Sequence, residues 1–422
     1  MNEHDSERIL YYLEKKGYKK TLKLDESEII VINTCSVREK AENRLFGHLG
    51  GLKRLKETRD VLICVGGCTA QSQKKRIQEK APFVDIVFGT DNISILSDLI
   101  DKKLKGNENI CAVEENGLEY NLKESKRLDS FRALIPVSIG CNNLCSYCIV
   151  PYVRGRERSL NPDKIIDAAK RFVINGGLQV TLLGQNVNSY GKDFKKDIDF
   201  SSLLKRVSNI EGLKRIRFMT SHPKDFLQAP IEVIRDRDNI MNHIHLPLQA
   251  GSNKILEMMN RKYSKEKYLD TVHAIRDNIK DCSITTDIIV GFPTEEEKDF
   301  KDTLDIIEKV RFDRVFTFIF SSRGGTPAAG LEDNVPLKEK KVWFDELLKV
   351  QNNISYKKNR EYIGKKFKVL IEGLSHKNKG FIQGRLENNT VVLLKGIKSD
   401  IGTIKYVLVK EAKTFYVRGE IA

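Results

Sequence analysis

The chain has 422 residues, of which 40% are hydrophobic, so it is long enough for two or three domains with real cores. Its 73 Lys and Arg against 58 Asp and Glu give a net charge of +15, which favours a polyanionic partner over a small metabolite, although a solubilising surface is an alternative. No apolar run approaches the ~20 residues of a membrane span and the N-terminus is not a signal peptide, so we expect a cytoplasmic protein with no membrane partner. Because the cytoplasm is reducing, the eight cysteines indicate metal or redox sites rather than disulfides.

Residues 1–105 alternate amphipathic helices with short apolar strands. The pattern predicts strands at residues 29–34, 61–65 and 84–88, and helices at residues 7–17, 38–56, 71–80 and 93–103. This alternation is typical of a parallel α/β sheet, in which ligands lie beyond the carboxyl ends of the strands. Cys35 and Cys68 each end a strand, so the two thiols should meet on one rim. Cys64 lies inside its strand and should pack in the sheet instead.

Residues 106–126 are polar and aperiodic and are predicted to form a linker. Residues 127–358 contain six predicted strands with helical patterns between them, at residues 133–139, 179–183, 215–220, 243–248, 284–290 and 315–320. Such βα units with right-handed crossovers predict a partial TIM-like (βα)6 barrel with its active site at the carboxyl ends of the strands.

The most informative motif follows the first of these strands. Cys141, Cys145 and Cys148 are separated by three and then two residues. Three thiolates on one loop can hold three irons of a [4Fe–4S] cube and leave the fourth without a protein ligand, whereas electron carriers use four cysteines per cube. An open iron is a site for substrate chemistry. A zinc knuckle is the alternative, but the twenty residues after Cys148 contain no further Cys or His.

Residues 359–422 predict five short strands punctuated by Gly and Asn, at residues 366–371, 380–386, 390–394, 403–409 and 415–420. This spacing is typical of a small antiparallel β-barrel. The segment is rich in Lys and Arg, and its aromatic residues are Phe381, Tyr406, Phe415 and Tyr416. Basic residues among aromatics on such a barrel indicate RNA binding, although alternation favours a core position for at least half of these rings.

The cysteine spacing, with Tyr147 just before the last cysteine, resembles the radical S-adenosylmethionine superfamily. Over nearly its whole length the chain resembles the MiaB-type tRNA methylthiotransferases, through the runs at residues 1–7, 33–41, 66–71 and 148–159. The terminal barrel resembles the TRAM module. The resemblance implies domains at residues 1–105, 127–358 and 359–422, and S-adenosylmethionine bound to the open iron of the cluster held by Cys141, Cys145 and Cys148.

The resemblance also implies an auxiliary [4Fe–4S] cluster with three cysteine ligands. Two of them match Cys35 and Cys68, while the family's Gly-Cys-Gln with the first ligand would stand just before Met1. We therefore expect Met1 to be an internal methionine of the family pattern, preceded by a strand; a true start at Met1 is the alternative. Within the chain as written, the auxiliary cluster has two of its three expected ligands.

Several polar residues at predicted strand ends match positions where the superfamily holds its cofactor. No carboxylate follows the second strand of the central domain, so the carbonyl oxygens of Gln185 or Asn186 are candidates for the cofactor's amino group, against a structural turn. His245 and Gln249 are candidates for its ribose or carboxylate, although a lone His in a strand is often a satisfied core residue.

Two further sets of residues complete the candidate cofactor site. Gly291 and Pro293 follow a strand that resembles the family's adenine-binding strand, where glycine allows close backbone approach. Arg154, Arg156 and Arg158 follow the cysteine loop, and their guanidinium groups suit a carboxylate or RNA phosphates. A solvated arginine face is the alternative.

The resemblance implies a radical methylthiotransferase acting on C2 of N6-isopentenyladenosine next to the anticodon of tRNA. The sulfur would come from the auxiliary cluster and the methyl group from a second S-adenosylmethionine. Expected partners are the anticodon stem-loop and an electron donor such as flavodoxin or ferredoxin, with the enzyme a monomer. Alternatives are a sister enzyme acting on threonylcarbamoyl-adenosine or a ribosomal-protein aspartate, and a non-catalytic tRNA-binding iron–sulfur protein.

Overall fold

The computed structural model describes residues 1–35, 39–106, 108–114, 120–195, 198–375 and 377–422, without the side chains of residues 39–43. The chain divides into two compact units. The first contains residues 1–129, 134–144 and 148–168, and the second contains residues 130–133, 145–147 and 169–422. The family-like run at residues 36–38, the first residue of the helix predicted at residues 38–56 and part of the predicted linker (residues 107 and 115–119) lie outside the described residues.

The first unit starts with the predicted alternation of helices and strands. The helices are α1 (Asn2–Lys15), α2 (Glu39–Thr58), α3 (Cys68–Gln73), α4 (Arg76–Lys80) and α5 (Leu96–Lys105), and the strands are β1 (Ile29–Thr34), β2 (Leu62–Gly67), β3 (Ile86–Phe88) and β4 (Ile110–Ala112). The strands form one parallel sheet in the order β1-β2-β3-β4. Helices α1 and α5 pack on one face, and α2 and α4 pack on the other. Burial on both faces explains why these strands are apolar throughout.

Two features of this sheet differ from the prediction. The helix predicted at residues 71–80 is two helices, because Lys74 has a φ of +50° and ends α3. Strand β4 lies within the predicted linker, where it pairs in parallel with β3. Its three residues are only half-buried, as befits the edge of the sheet, so their polar neighbours concealed the strand.

The segment that joins the two units carries the cysteine loop. It contains β5 (Arg132–Pro136), β6 (Ser138–Ile139), α6 (Val150–Arg154), β7 (Arg158–Ser159) and α7 (Pro162–Ile174). Strands β6 and β7 pair antiparallel, so the chain returns past the start of the loop after it leaves α6.

The second unit contains the remaining βα repeats. The elements are β8 (Gln179–Leu183), α8 (Phe200–Ser208), β9 (Arg215–Met219), α9 (Gln228–Arg235), β10 (His243–His245), α10 (Asn253–Met258), α11 (Lys265–Asn278), β11 (Ser283–Val290), α12 (Glu297–Val310), β12 (Arg314–Ile319) and α13 (Leu337–Arg360). The strands form two three-stranded sheets, β5-β8-β9 and β10-β11-β12, and an isolated parallel bridge joins Ile216 to Ile240. The predicted partial (βα)6 barrel is confirmed.

The second unit ends in a closed barrel of five strands, as predicted. They are β13 (Lys366–Leu374), β14 (Phe381–Arg385), β15 (Val391–Lys395), β16 (Ile404–Ala412) and β17 (Val417–Ile421), in the order β13-β14-β15-β17-β16. One expectation was wrong in part: the barrel is not wholly antiparallel, since β15 and β17 run parallel. In the described ranges, no helix has the length and apolar character needed to cross a membrane.

Candidate functional site

The three-cysteine motif lies on an irregular loop, residues 140–149, between β6 and α6. Gly140 opens this loop with a φ of +77°, and a Cβ on it would lie 2.2 Å from the carbonyl oxygen of Arg156. Only glycine tolerates both conditions. The backbone N–H of Cys141 then donates to the carbonyl of Gly155 at 3.2 Å. Gly140 therefore allows the first cysteine to lie against the backbone that follows α6.

The cysteines of the loop are shielded from solvent and receive hydrogen bonds. Cys141 and Cys145 are buried, and Cys148 is half-buried. The Asn143 N–H donates to the Cys141 sulfur at 3.4 Å, and the Arg261 guanidinium donates to the Cys145 sulfur at 3.3 Å. In the described part of the chain, no three Cys, His, Asp or Glu side chains form a group suited to a single metal ion. A cube does not require one, because each thiolate binds a different iron.

The middle of the loop, residues 145–147, belongs to the second unit, where Ser146 forms three hydrogen bonds. The Ser146 N–H donates to the Met259 carbonyl at 3.1 Å, and the Ser146 hydroxyl donates to the Met258 carbonyl at 2.8 Å. The Ser146 carbonyl accepts from the N–H of Ala328 at 2.8 Å. The N–H and the carbonyl are backbone groups and the hydroxyl belongs to the side chain, and all three need partners when buried. Met258 and Met259 at the end of α10, together with Ala328, therefore fix Ser146 beside Cys145.

The two amides predicted to contact the cofactor have different surroundings. The Asn186 side chain is buried; its N–H donates to Asp225 at 2.7 Å and its carbonyl accepts from the His222 N–H at 3.1 Å. Asn186 therefore holds the turn that contains His222 and Asp225. Gln185 is half-exposed at the carboxyl end of β8. Of the two amides, Gln185 is the more exposed.

His245 and Gln249 lie where the sequence puts them, at and beyond the carboxyl end of β10. The imidazole of His245 is buried and has two polar neighbours, with Nδ1 3.0 Å from the Thr285 hydroxyl and Nε2 3.4 Å from an Asp287 oxygen. Gln249 has a φ of +76°, which is uncommon for a residue with a side chain and concentrates at functional sites. Its backbone bridges to Ile288 of β11, which fixes this conformation.

The turn after β11 contains Gly291 and Pro293, both buried. Gly291 has a φ of +70°, and a Cβ there would lie 2.3 Å from the Lys340 side chain. The N–H groups of Gly291 and Phe292 both donate to one oxygen of Glu295, at 2.5 and 3.0 Å. Burial raises the pKa of Glu295 to about 7, although these two hydrogen bonds oppose the shift. The Glu295 carboxylate thus holds the backbone of this turn in place.

The three arginines after the loop do not act as one group. Arg154 is buried and donates to Asp5 at 2.6 Å. Burial opposes its charge, but Asp5 and Cys68 beside it raise its pKa above the usual value. Arg156 is exposed, and Arg158 is exposed with an oxygen of Asp91 at 3.5 Å. Arg156 and Arg158 therefore suit a solvent-borne ligand, while Arg154 belongs to the surroundings of Cys68.

Cys35 and Cys68 follow two paired residues at the rim of the first unit's sheet. In the parallel register Thr34 pairs with Gly67, so the two cysteines are the next residues on adjacent chains. Gly67 has a φ of +90°, and a Cβ on it would lie 2.3 Å from the Thr34 carbonyl oxygen. Burial raises the pKa of Cys68, while Arg154 works in the opposite direction. The predicted meeting of these thiols on one rim agrees with this register.

Cys64 is placed differently from these two cysteines. It lies inside β2, fully buried in the apolar cluster formed with α1 and α5. Burial raises the pKa of its thiol, which disfavours the thiolate that a metal requires. Cys64 is therefore a packing residue.

Comparison with known proteins decides the family. The chain is 46% identical over 427 residues to a tRNA-2-methylthio-N(6)-dimethylallyladenosine synthase of Thermoanaerobacter pseudethanolicus, across 100% of this chain and 90% of that relative. A synthase of the same name from Acetivibrio thermocellus is 45% identical over 425 residues, across 100% and 88%. The chain belongs to this synthase family.

Matches to individual regions agree with this family. Residues 135–307 match the Radical SAM superfamily, residues 1–89 match Uncharacterized protein family UPF0004, and residues 360–422 match the TRAM domain. Among solved structures, the radical S-adenosylmethionine methyltransferase TsrM of Kitasatospora setae is similar, with a TM-score of 0.59, 13% identity and coverage of 77% of this chain and 70% of that one. The radical enzyme OxsB gives 0.53 at 13% identity, over 83% and 53%. At such identities these two structures share the fold alone.

Membership of the synthase family implies a [4Fe–4S] cluster and S-adenosylmethionine. The donor set of the loop fits such a cluster. It offers three cysteine sulfurs from one short segment, and two of these sulfurs accept N–H hydrogen bonds, as cluster thiolates do. The loop follows the carboxyl end of β6, and the carboxyl ends of strands are where such a barrel places ligands.

The terminal barrel of this synthase family member exposes both charge and aromatic faces. Lys366, Lys368, Lys395 and Lys410 are exposed on its strands. Tyr406 and Phe415 are exposed, and Phe381 and Tyr416 are half-buried. The expectation that at least half of these aromatics belong to the core was wrong, because the core is filled by aliphatic residues with Tyr362 and Phe367 at its margin. All four rings therefore reach the surface.

Two residues near the site were missed from the sequence. Arg261 contacts the Cys145 sulfur, and Glu295 organises the turn at Gly291. Both stand in charged surroundings along the chain, where a solvated residue is the usual expectation. For Glu295 the sequence offers one clue: Gly291, Pro293 and then an acidic residue follow a buried strand. The backbone N–H groups of a buried turn need an acceptor, and a nearby carboxylate can supply it.

Proposed function

We propose that the chain is a radical S-adenosylmethionine methylthiotransferase: it adds a methylthio group to C2 of N6-isopentenyladenosine next to the anticodon of tRNA. The observation that carries this proposal is the match of the entire chain, at 46% identity, to a relative named for this product. The dimethylallyl group in that name is the isopentenyl group. Such a reaction needs a radical cluster and a surface that binds tRNA. The three-cysteine loop is the candidate for the first, and the basic terminal barrel is the candidate for the second.

Cys141, Cys145 and Cys148 are the residues that would hold the radical cluster, through their three sulfurs. When bound, the cluster and S-adenosylmethionine together supply a carbon radical, which the inert aromatic C2–H bond requires. Burial of Cys141 and Cys145 keeps water from the sulfurs, and Gly140 fixes the approach of the loop to residues 155–156. The protein's part is to hold these sulfurs in position and away from water.

The cofactor contacts are assigned by exposure and geometry. Gln185 would accept from the amino group of S-adenosylmethionine at the end of β8. The exposed Arg156 is a candidate for binding a carboxylate or an RNA phosphate. His245, positioned by Thr285, and Gln249, held at a positive φ, bind the ribose. The turn at Gly291, held by Glu295, is the candidate contact for the adenine ring.

Cys35 and Cys68 hold the auxiliary cluster that provides the sulfur atom. Their adjacent positions at the end of β1 and β2 support this assignment, as does the buried Arg154 beside Cys68. Removal of hydrogen from C2 and formation of the C–S bond are then separate steps that depend on separate cysteines. The methyl group of a second S-adenosylmethionine completes the product.

The terminal barrel binds the tRNA. Its exposed lysines can neutralise phosphates, and the rings of Tyr406 and Phe415 can stack on unpaired bases. The target base must leave the anticodon-loop stack before its C2 atom can be reached. We expect the reaction in the cytoplasm, with a monomeric enzyme and a flavodoxin or ferredoxin as electron donor.

Mass spectrometry of tRNA nucleosides from cells that lack the gene tests the substrate. We expect the 2-methylthio group to disappear from isopentenyladenosine, with the unthiolated nucleoside accumulating in its place. Complementation with the wild-type gene should restore the group, and the Cys145→Ala gene should not. Loss confined to threonylcarbamoyl-adenosine, or an unchanged tRNA profile, would contradict the proposal.

A purified assay separates the enzyme from a tRNA-binding protein without catalysis. Reconstituted wild-type protein with dithionite and S-adenosylmethionine should form 5′-deoxyadenosine. Protein that binds tRNA and forms none would favour the non-catalytic alternative.

A further inference from the structure

Arg261 is a buried cation in the second unit with partners on both sides of its guanidinium group. Its Nη1 donates to the Cys145 sulfur at 3.3 Å and lies 3.4 Å from the Tyr147 hydroxyl. Its Nη2 donates to the Pro247 carbonyl at 2.8 Å, and its Nε donates to the Tyr263 hydroxyl at 2.9 Å. The guanidinium thus touches the cysteine loop and is fixed from behind by residues that do not belong to it.

The support behind Arg261 is itself anchored. The Tyr263 hydroxyl donates to the Leu248 carbonyl at 2.7 Å, and the Tyr263 ring lies below the guanidinium at 5.2 Å. Pro247 and Leu248 follow β10, the strand that carries His245. Because hydrogen bonds hold the planar guanidinium group at Nε, Nη1 and Nη2, it has one orientation. In that orientation an Nη1–H points at the Cys145 sulfur. The contact between Arg261 and Cys145 is therefore fixed by the hydrogen bonds of the surrounding residues.

The partners of Arg261 are notable for their charge. Among the described residues, Arg261 forms no ion pair with Asp or Glu, and its polar partners are a thiol, two tyrosine hydroxyls and a carbonyl. The nearby His222 adds no positive charge, because burial, together with Arg261, lowers its pKa to about 2. A buried guanidinium without a carboxylate is costly unless another negative charge lies beside it.

A thiolate-bound cluster supplies such a charge. A [4Fe–4S] cube gains one negative charge when it accepts an electron, so a fixed cation beside it stabilises the reduced state more than the oxidised one. Hydrogen bonds to the sulfurs and net charge both set the reduction potential of these clusters. Arg261 provides both effects at Cys145.

We propose that Arg261 is a positioning residue of the radical cluster: it fixes the Cys145 sulfur and, as the buried counter-charge, raises the cluster's reduction potential. The proposal rests on the proposed function in one respect, because it takes Cys145 as a cluster ligand. It assigns to Arg261 the task of making the cluster easier to reduce by the electron donor.

The test is a redox titration of the reconstituted full-length protein, followed by the EPR signal that changes on addition of S-adenosylmethionine. In Arg261→Gln the equilibrium constant for reduction should fall at least about tenfold, a shift of about 59 mV for one electron. Arg261→Lys keeps the charge and should lose less than about threefold. Arg215→Gln is the matched control: it removes another buried guanidinium, one that contacts Gln179 and the Leu386 carbonyl, and should leave the potential unchanged.

An Arg261→Gln protein with the wild-type potential would overturn the inference, as would an Arg261→Lys shift as large as that of Arg261→Gln. If Arg261→Gln binds too little iron for titration, the iron and sulfide content of Arg261→Lys decides: normal content supports the counter-charge, and low content contradicts it. A wild-type protein that forms no cluster responsive to S-adenosylmethionine would instead overturn the proposed function. The two failures are thus distinguishable.

Discussion

The two cysteine sites of this chain each have a buried arginine, but they hold it in different ways. Arg154, in the first unit, lies beside Cys68 and pairs with the carboxylate of Asp5. Arg261, in the second, contacts Cys145 and has only neutral groups and that sulfur as partners among the described residues. The positive charge of Arg154 is neutralised by the Asp5 carboxylate, whereas that of Arg261 would be neutralised by the cluster that the cysteines hold.

This difference has a consequence for the two proposed clusters. A cation already neutralised by a carboxylate changes the potential of a neighbouring cluster less than one that is not. We therefore expect the site at Cys145 to suit electron uptake and the site at Cys68 to suit a cluster that stores sulfur. Four substitutions examine this comparison.

The largest effect should follow removal of a radical-cluster ligand. Cys145→Ala should lower formation of 5′-deoxyadenosine by more than about 100-fold, since loss of a ligand should exceed the 10–100-fold loss typical for its supporting groups. The measurement is product formation with dithionite and S-adenosylmethionine. Cys282→Ala is the control, because Cys282 precedes β11 and, among the residues that the structure describes, its thiol hydrogen-bonds to its neighbour Ser283 alone. Equal activity of the two variants would contradict the ligand assignment.

Removal of an auxiliary ligand should separate the two steps. Cys68→Ala should retain cleavage of S-adenosylmethionine but lose transfer of sulfur to tRNA, because the radical cluster depends on other cysteines. The assay compares 5′-deoxyadenosine with methylthiolated nucleoside from the same reaction. Cys64→Ala, which alters a packed thiol of the same sheet, should retain both products. A Cys68→Ala protein that still transfers sulfur would show that Cys68 has another role.

The balance of charge at Arg154 should be visible in stability. Asp5→Asn leaves a buried guanidinium without its partner and should destabilise the first unit by about 3–5 kcal/mol, seen as a lower urea midpoint of the apoprotein. Asp91→Asn removes the partner of Arg158, whose side chain is 52% exposed against 5% for Arg154, and should cost less than about 1 kcal/mol. Similar midpoints for both variants would mean that Arg154 does not need Asp5.

A buried acid offers the complementary case. Because burial raises the pKa of Glu295 from 4.5 to about 7, the folded protein binds more protons than the unfolded chain between these pH values. Stability should therefore fall as pH rises through this window, by up to about 3 kcal/mol. Urea midpoints from pH 4.5 to 8 should show this fall in the wild type and a smaller one in Glu295→Gln. The exposed Glu297→Gln control should follow the wild type; a Glu295→Gln profile that also follows it would contradict the assignment.

Much of the fold could be predicted because its strands are apolar and its turns are marked. Strands β1 and β8 begin and end where the pattern puts them, and all five strands of the terminal barrel were expected. Strand β4 was missed, because its pairing with β3 depends on a partner more than twenty residues away rather than on its own sequence. The break at Lys74 was missed for a related reason, since nothing in a lysine foretells a positive φ.

The candidate site divides in the same way. The cysteines could be recognised by their spacing, which is a local property. The contacts of Arg261 with Cys145 and of Arg154 with Asp5 join residues 116 and 149 positions apart. Contacts between residues this far apart in the sequence decide which arginines are buried. The residues next to Arg154 and Arg261 in the sequence do not reveal these contacts. Only the fold distinguishes a ligand-binding arginine from a supporting one.

The closure of the terminal barrel limits how it can recognise a partner. In the ring β13-β14-β15-β17-β16 each strand has a neighbour on both sides, so no edge offers free backbone groups to an added strand. Binding by strand addition is therefore excluded for this module, and so is self-association through a sheet edge. A partner must instead be bound by side chains and by the loops between the strands. Such binding favours tolerance of nucleotide sequence and leaves discrimination of the target adenosine to the rest of the molecule.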